Sequence, residues 1–168
     1  EVKTMLYLQK AALTDGREVY DMLQRLPAEN RFLNSCYQMD WADFPGWLAK
    51  RVNRSQGIGL EDWQVPDTAF WLMDDGVPVA FGSLRHRLTD ALREAGGHIG
   101  YAVDGTKQNR GYGKALLGLM IKEARRMGIT EELLVTIHPD NIASRKVAEA
   151  NGGELRRETA DHVYYWFR

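Results

Sequence analysis

The chain predicts a single α/β domain built on a central mixed β-sheet flanked by helices. Apolar runs of strand character alternate with amphipathic segments of helical period, in the order β-α-α-β-β-β-α-β-α-β-β. The length, 168 residues, is one domain's worth, and no internal repeat, low-complexity tract or linker divides residues 1–168.

Residues 4–8 are short, apolar and strand-compatible. Thr14-Asp15-Gly16 opens a helix in which Val19, Met22, Leu23 and Leu26 recur at helical spacing until Pro27 closes it. Residues 40–54 suit a second helix, interrupted near Pro45-Gly46, with a loop over 54–59. Residues 68–73 and 77–84 are apolar runs joined by Asp74-Asp75-Gly76, and Asp-Gly in that setting signals a hairpin. The polar stretch 85–95 predicts no definite element, and 98–103 is a further strand. The clearest helix covers 112–127. Leu116, Met120, Ala124 and Met127 share one face, Arg125 and Arg126 suit the negative end of its dipole, and Gly128 stops it. Leu133–Ile137 is a strand, and residues 140–150 form a helix with an Asx cap and an Asn151-Gly152-Gly153 stop. Glu154–Glu158 and residues 162–167 close the chain as a hairpin.

Composition removes several functions. The net charge of −1 speaks against a dedicated nucleic-acid binder. Cys36 is the single cysteine, so there is no intrachain disulfide, and a reducing, cytoplasmic setting is expected. No apolar run reaches membrane-span length, and Glu1-Val2-Lys3-Thr4 does not read as a signal peptide. No metal site is expected. The charge is uneven: residues 1–84 carry a net −4 and residues 85–168 a net +3. Ten of the 16 glycines lie between Gly96 and Gly153, in the basic half. Glycine with positive charge suits a phosphate-bearing ligand.

Gln108-Asn109-Arg110-Gly111-Tyr112-Gly113-Lys114-Ala115 joins a strand to the strongest helix. Glycines there let the backbone approach a ligand, and the first amides of a helix point outward at the positive end of its dipole. Arg110 and Lys114 add charge. A dinucleotide fingerprint fails, because its third glycine falls on Leu116, and a Walker loop fails at Gln108 and Ala115. The pattern that fits is Q/R-x-x-G-x-G/A, at Gln108, Gly111 and Gly113. With the preceding strand, the Leu-rich helix and the later Asn141-x-x-Ser144 helix, the chain resembles the GNAT superfamily of acetyl-CoA-dependent N-acetyltransferases over nearly its whole length.

That resemblance implies a GNAT-like fold, its sheet splayed between the fourth and fifth strands, and acetyl-CoA as co-substrate. It implies that the pantetheine arm pairs with the backbone of Tyr101, Ala102 and Val103, and that the pyrophosphate rests on Gln108, Asn109, Arg110, Gly111, Tyr112, Gly113 and Lys114. It implies cofactor contacts at Asn141 and Ser144 as well, and Asn141 also suits an N-cap. A primary amine of a small molecule, peptide or protein would attack the thioester directly, with a backbone N–H near Tyr101 receiving the oxyanion. For the general base the sequence offers His98, and secondarily His138, each of which also reads as a strand-end or turn residue. The tyrosine that many relatives carry seven residues after the asparagine is here Ala148, so Ser144 is the candidate donor to the leaving thiolate. Cys36 reads as packing.

On the acceptor side, Tyr37, Asp40, Trp41, Asp43, Phe44, Trp47, Glu61, Asp62 and Trp63 mix acidic and aromatic character. They suit a cationic amine, or simply pack and solvate the helices. The aromatic closing hairpin can support a homodimer. The reading of a different class is a non-catalytic module that binds acyl-CoA as a regulator.

Overall fold

The computed structural model describes residues 5–27 and 34–168. Strands β1 (Leu6–Lys10), β2 (Asp67–Asp74), β3 (Val77–Arg85) and β4 (Ile99–Val103) form one antiparallel sheet in that order. The β2–β3 turn places Asp75 at φ 48° and Gly76 at φ 85°. Two positive φ angles give the turn a twist that matches the strands, as the Asp-Gly pair predicts. Strands β5 (Leu133–Ile137), β6 (Glu154–Glu158) and β7 (Val163–Phe167) form a second antiparallel sheet in the order β5-β7-β6. The splay expected between the fourth and fifth strands is thus present, and it divides the sheet into two antiparallel ones at β4 and β5. Thr4, part of the expected first strand, lies outside the described residues.

Among the described residues five helices flank the sheets: α1 (Arg17–Gln24), α2 (Phe44–Ser55), α3 (Asp90–Glu94), α4 (Tyr112–Arg126) and α5 (Ile142–Ala150). Pro45 sits in the first turn of α2, where its missing N–H breaks no bond. The expected interruption at Pro45 is thus the start of the helix, after a 3₁₀ turn at Trp41–Asp43. Helix α3 occupies the stretch that predicted no element; its Thr89 cap accepts the Leu92 N–H at 3.2 Å.

The two faces of the first sheet carry separate cores. Leu72, Ala80, Leu84 and Ile99 pack with Leu116, Leu117 and Met120 of α4. Ala69, Trp71, Phe81 and Ala102 pack with Met22 and Leu23 of α1 and Phe44, Trp47 and Leu48 of α2. Strand alternation therefore sends Ala80, Leu84 and Ile99 to one helical layer and Phe81 and Ala102 to the other.

Candidate active site

Strands β4 and β5 meet at one end only. The His98 N–H donates to Leu134 O at 2.8 Å, and the Leu134 N–H donates to His98 Nδ1 at 2.9 Å. Gly97, just before β4, has φ 64°, and a Cβ there would stand 2.6 Å from Leu134 O. Only glycine permits that approach. Beyond it the sheets part, and a cavity of about 890 Å³ opens, lined among others by Gly100, Tyr101, Thr136, His138, Asn141 and Ser144.

Backbone direction in β4 follows from its ladder. Arg85 N–H donates to His98 O at 2.7 Å and Asp104 N–H to Val79 O at 2.9 Å. In an antiparallel ladder alternate residues point their polar groups to the same neighbour. Gly100 and Ala102 thus pair with β3, which corrects the expected pantetheine pairing at Ala102, while Tyr101 and Val103 turn their N–H and C=O groups to the opening. In the structure Gln108 Nε2 donates to Val103 O at 3.1 Å, consistent with that direction.

The Tyr101 side chain packs on the α4–α5 layer, where a Cβ on Gly113 would lie 3.6 Å from both Tyr101 Cε2 and Val147 Cγ2. Its hydroxyl is buried and makes no hydrogen bond, although Ser144 is close enough to influence it. Burial raises the phenol above its ordinary range, so it remains protonated. Asn141 caps α5 by accepting the Ser144 N–H at 3.1 Å. The phenol was not singled out from the sequence, which pointed only to the Tyr101 backbone. Its signal was a hydroxyl-bearing side chain at an inward strand position.

The 108–114 loop lies outside this cavity, at the start of α4. Asn109 and Gly111 are both left-handed, at φ 62° and φ 80°. Gly111 is the helix N-cap; no side chain caps it, and no atom lies within 4 Å of where its Cβ would be. The first amides of α4 are therefore left for a ligand or solvent. Tyr112 donates to Asp74 of β2, which together with burial raises its phenol. Beneath the loop, fully buried Asp104 accepts from Arg25 Nε at 2.8 Å and from Thr106 N and Oγ1 at 2.9 and 2.7 Å. Burial pushes this carboxyl up, but the Arg25 and Thr106 bonds outweigh it and hold it below its ordinary value.

His98 does not face the opening. It is buried, Nδ1 accepts from Leu134, and Nε2 lies 3.0 Å from Glu131 Oε1. Nδ1 as acceptor makes Nε2 the protonated nitrogen, so neither lone pair is free. Burial lowers its pKa despite Glu131. This geometry corrects the expectation of His98 as general base: the ring joins the two sheets. His138 does line the cavity, together with Asp161 and His162 of the β6–β7 turn. Its Nδ1 accepts the Asp140 N–H at 3.2 Å.

On the acceptor side the structure follows the alternative in which these residues pack and solvate the helices. Phe44 and Trp47 are core residues, Trp41 stacks on Phe44 at 5.5 Å, and Asp40, Asp43, Glu61 and Asp62 are exposed; of these residues only Trp63 lines the cavity. The wall is basic instead. Arg51 and Arg54 of α2 bridge Asp67 at 2.8 and 2.6 Å, Arg51 Nη2 donates to Ser83 Oγ at 3.3 Å, and Arg85 Nη1 donates to Gly97 O at 2.9 Å. Burial lowers Arg51 to about 10, against the opposing pull of Asp67. The sequence signal was present: Phe44, Trp47, Leu48 and Arg51 form one buried helical stripe, with a charge at a core position.

Cys36 is buried, which raises its thiol to about 11 and keeps it from acting as a nucleophile. The aromatic strand β7 is the centre of its sheet, with Tyr164 and Tyr165 buried, and the exposed edge is the charged β6. Among the described residues no cluster of three or more His, Cys, Asp or Glu is placed to hold a metal, and no helix is long and apolar enough to cross a membrane.

Comparison with known proteins agrees with the geometry. The acetyltransferase (GNAT) family model matches residues 33–152. L-2,4-diaminobutyric acid acetyltransferase of Streptomyces coelicolor is 42% identical over 90 residues, which is 49% of this chain and 50% of that protein. The match thus spans about half the length of that relative. Among solved structures, the Campylobacter jejuni N-acetyltransferase PseH in complex with acetyl coenzyme A superimposes with a TM-score of 0.65 at 12% identity, over 98% of this chain and 99% of that one. The ribosomal L7/L12 alpha-N-protein acetyltransferase RimL in complex with coenzyme A gives 0.65 at 15% identity, over 99% and 93%.

Proposed function

The chain belongs to the acetyltransferase (GNAT) family, and from that premise we propose that it moves an acetyl group from acetyl-CoA to a primary amine of a small molecule or peptide by direct attack. The observation that carries this reading is the opening between β4 and β5, into which the Tyr101 backbone and its unpartnered phenol both face. Bound there, acetyl-CoA supplies an activated acetyl thioester.

The residues divide the work by position. Amides at the start of α4, around Gly111–Lys114, hold the pyrophosphate, and Arg110 and Lys114 add positive charge. Asn141 shapes the nearby start of α5. The Tyr101 N–H donates to the thioester carbonyl oxygen as it gains negative charge. The amine forms its bond to the acetyl carbon while the carbon–sulfur bond breaks. Tyr101 Oη, with Ser144 beside it, supplies the proton that the departing sulfur needs. This phenol fills the role left open by Ala148. The proton lost by the amine passes through water to Asp161 on the cavity wall. The diaminobutyrate enzyme of S. coelicolor supports a small-molecule amine as acceptor. The buried single cysteine suits the reducing cytoplasm.

The test is release of free CoA from acetyl-CoA across a panel of amines, with the acetylated product identified by mass. Release with at least one amine supports transfer. If acetyl-CoA raises the melting temperature but no amine releases CoA, the protein is an acyl-CoA-binding module instead.

A further inference from the structure

Resting on the reading of acetyl transfer to an amine, we propose that the acceptor also carries a carboxylate, held by Arg51, Arg54 and Arg85, and so is a small amino acid rather than a simple amine.

Charge balance is the first argument. Three guanidinium groups line one wall of the cavity, and among the described residues Asp67 is the one carboxylate that ion-pairs with them. Arg51 and Asp67 are almost completely buried, with side-chain exposures of 5% and 2%. Removing such a cation from water costs several kcal/mol and is offset only by full pairing. Here two arginines share one acid, and Arg85 has only the neutral Gly97 carbonyl. The Nε atoms of both Arg51 and Arg54 are buried without partners. A planar carboxylate, bridging two forks, matches what these groups lack.

Placement is the second argument. Ser83, which receives Arg51, is the cross-strand partner of Gly100. Directly paired residues face the same side of a sheet, about 5 Å apart. Gly100 contributes no side chain there, so the arginine wall communicates with the β4–β5 opening across roughly one strand spacing. The opposite rim holds Asp161, His138 and His162. The cavity is thus polarised, basic beside α2 and acid-and-imidazole beside β5, as an amino acid with an anionic and a cationic end requires.

The experiment uses matched pairs that differ only in the carboxylate: 2,4-diaminobutyrate with 1,3-diaminopropane, ornithine with putrescine, and lysine with cadaverine. Binding is measured calorimetrically in the presence of CoA, and turnover by CoA release. The expected result is that the acid of at least one pair binds tenfold or more tightly than its diamine, a charge-assisted contact's ordinary contribution. Arg54→Gln and Arg85→Gln, each checked for a retained melting transition, should reduce that ratio toward one. If every diamine binds as well as its acid, or the ratio survives in both variants, the proposal is overturned. Selective acid binding without CoA release supports the carboxylate site while removing the transferase reading.

Discussion

Replacing Tyr101 by phenylalanine should make the protein more stable and a poorer catalyst. The hydroxyl is buried and forms no hydrogen bond, so the folded state carries its desolvation cost without return. Such a group costs about 1–3 kcal/mol. The ring contacts with the α4–α5 layer are kept in phenylalanine. Taking the lower end, about 1 kcal/mol, the melting temperature should rise by about 2–4 °C for a chain of this size. Turnover should move the other way. A positioned proton donor contributes about 10²–10⁴-fold, and because Ser144 and water stand behind this one, about a hundredfold loss of kcat is expected. The Kd for CoA should stay within about twofold, since the phenol acts on the departing sulfur rather than on the pyrophosphate. Calorimetric melting, CoA titration and steady-state CoA release on the same preparation test all three. An unchanged kcat would falsify the donor role, and a lowered melting temperature would show that the hydroxyl has a partner.

Three further outcomes are expected. Gly111→Ala places a Cβ at φ 80°, costing about 1–2 kcal/mol of backbone strain, and should weaken CoA about tenfold while leaving pantetheine, which lacks the pyrophosphate, unaffected in titration. His98→Asn should leave the pH dependence of kcat in place and flatten that of stability. The His98 pKa lies below its ordinary 6.5 because burial disfavours the cation. The unfolded chain therefore takes up the proton first as pH falls below about 6.5, and the wild type loses stability until the folded value is passed. Melting curves from pH 5 to 8 for both proteins decide it, equal slopes refuting the assignment. Asp104, held below its ordinary value, contributes stability above about pH 3.9 that is lost as pH falls through the folded value. Asp104→Asn should cost about 1–3 kcal/mol at pH 7, read as a fall in the denaturation midpoint that disappears in acid.

The sequence was readable where the information is local. Helix α4 follows from a 3.6-residue period, and the left-handed turn that leads into it from the glycines at its start. The β2–β3 hairpin follows from one Asp-Gly pair. Helix α3 was missed because five residues with one buried apolar side chain, Leu92, hold too little periodicity, the clearest marker being the Thr89 cap. His98 was misjudged because a histidine ahead of a strand looks exposed in one dimension. What buries it is Leu134, brought close by Gly97. The basic wall was hidden for the same reason. Arg51 and Arg54 come from α2, Ser83 and Arg85 from β3, and only the packing of that helix on that sheet brings them together. The exposed acids of the same helical region carried the composition in the opposite direction.

Under the proposed transfer, the division of the sheet keeps cofactor and acceptor on separate layers that meet at one opening. On β3 and β4, residues of one parity face α4 and α5, as Gly82 meets Met120 and Tyr101 meets the Gly113 position. Residues of the other parity face α1 and α2, as Ser83 meets Arg51 and Ala102 enters the second core. A continuous sheet would seal these layers from each other. Because β4 and β5 are tied at one end, by His98 to Leu134 and by the Gly96 N–H to Thr136 Oγ1, the layers connect through the opening beyond. The tie must be rigid, for any slippage there changes the width of the opening. That accounts for a buried histidine with both nitrogens engaged at this point, where it joins the two sheets.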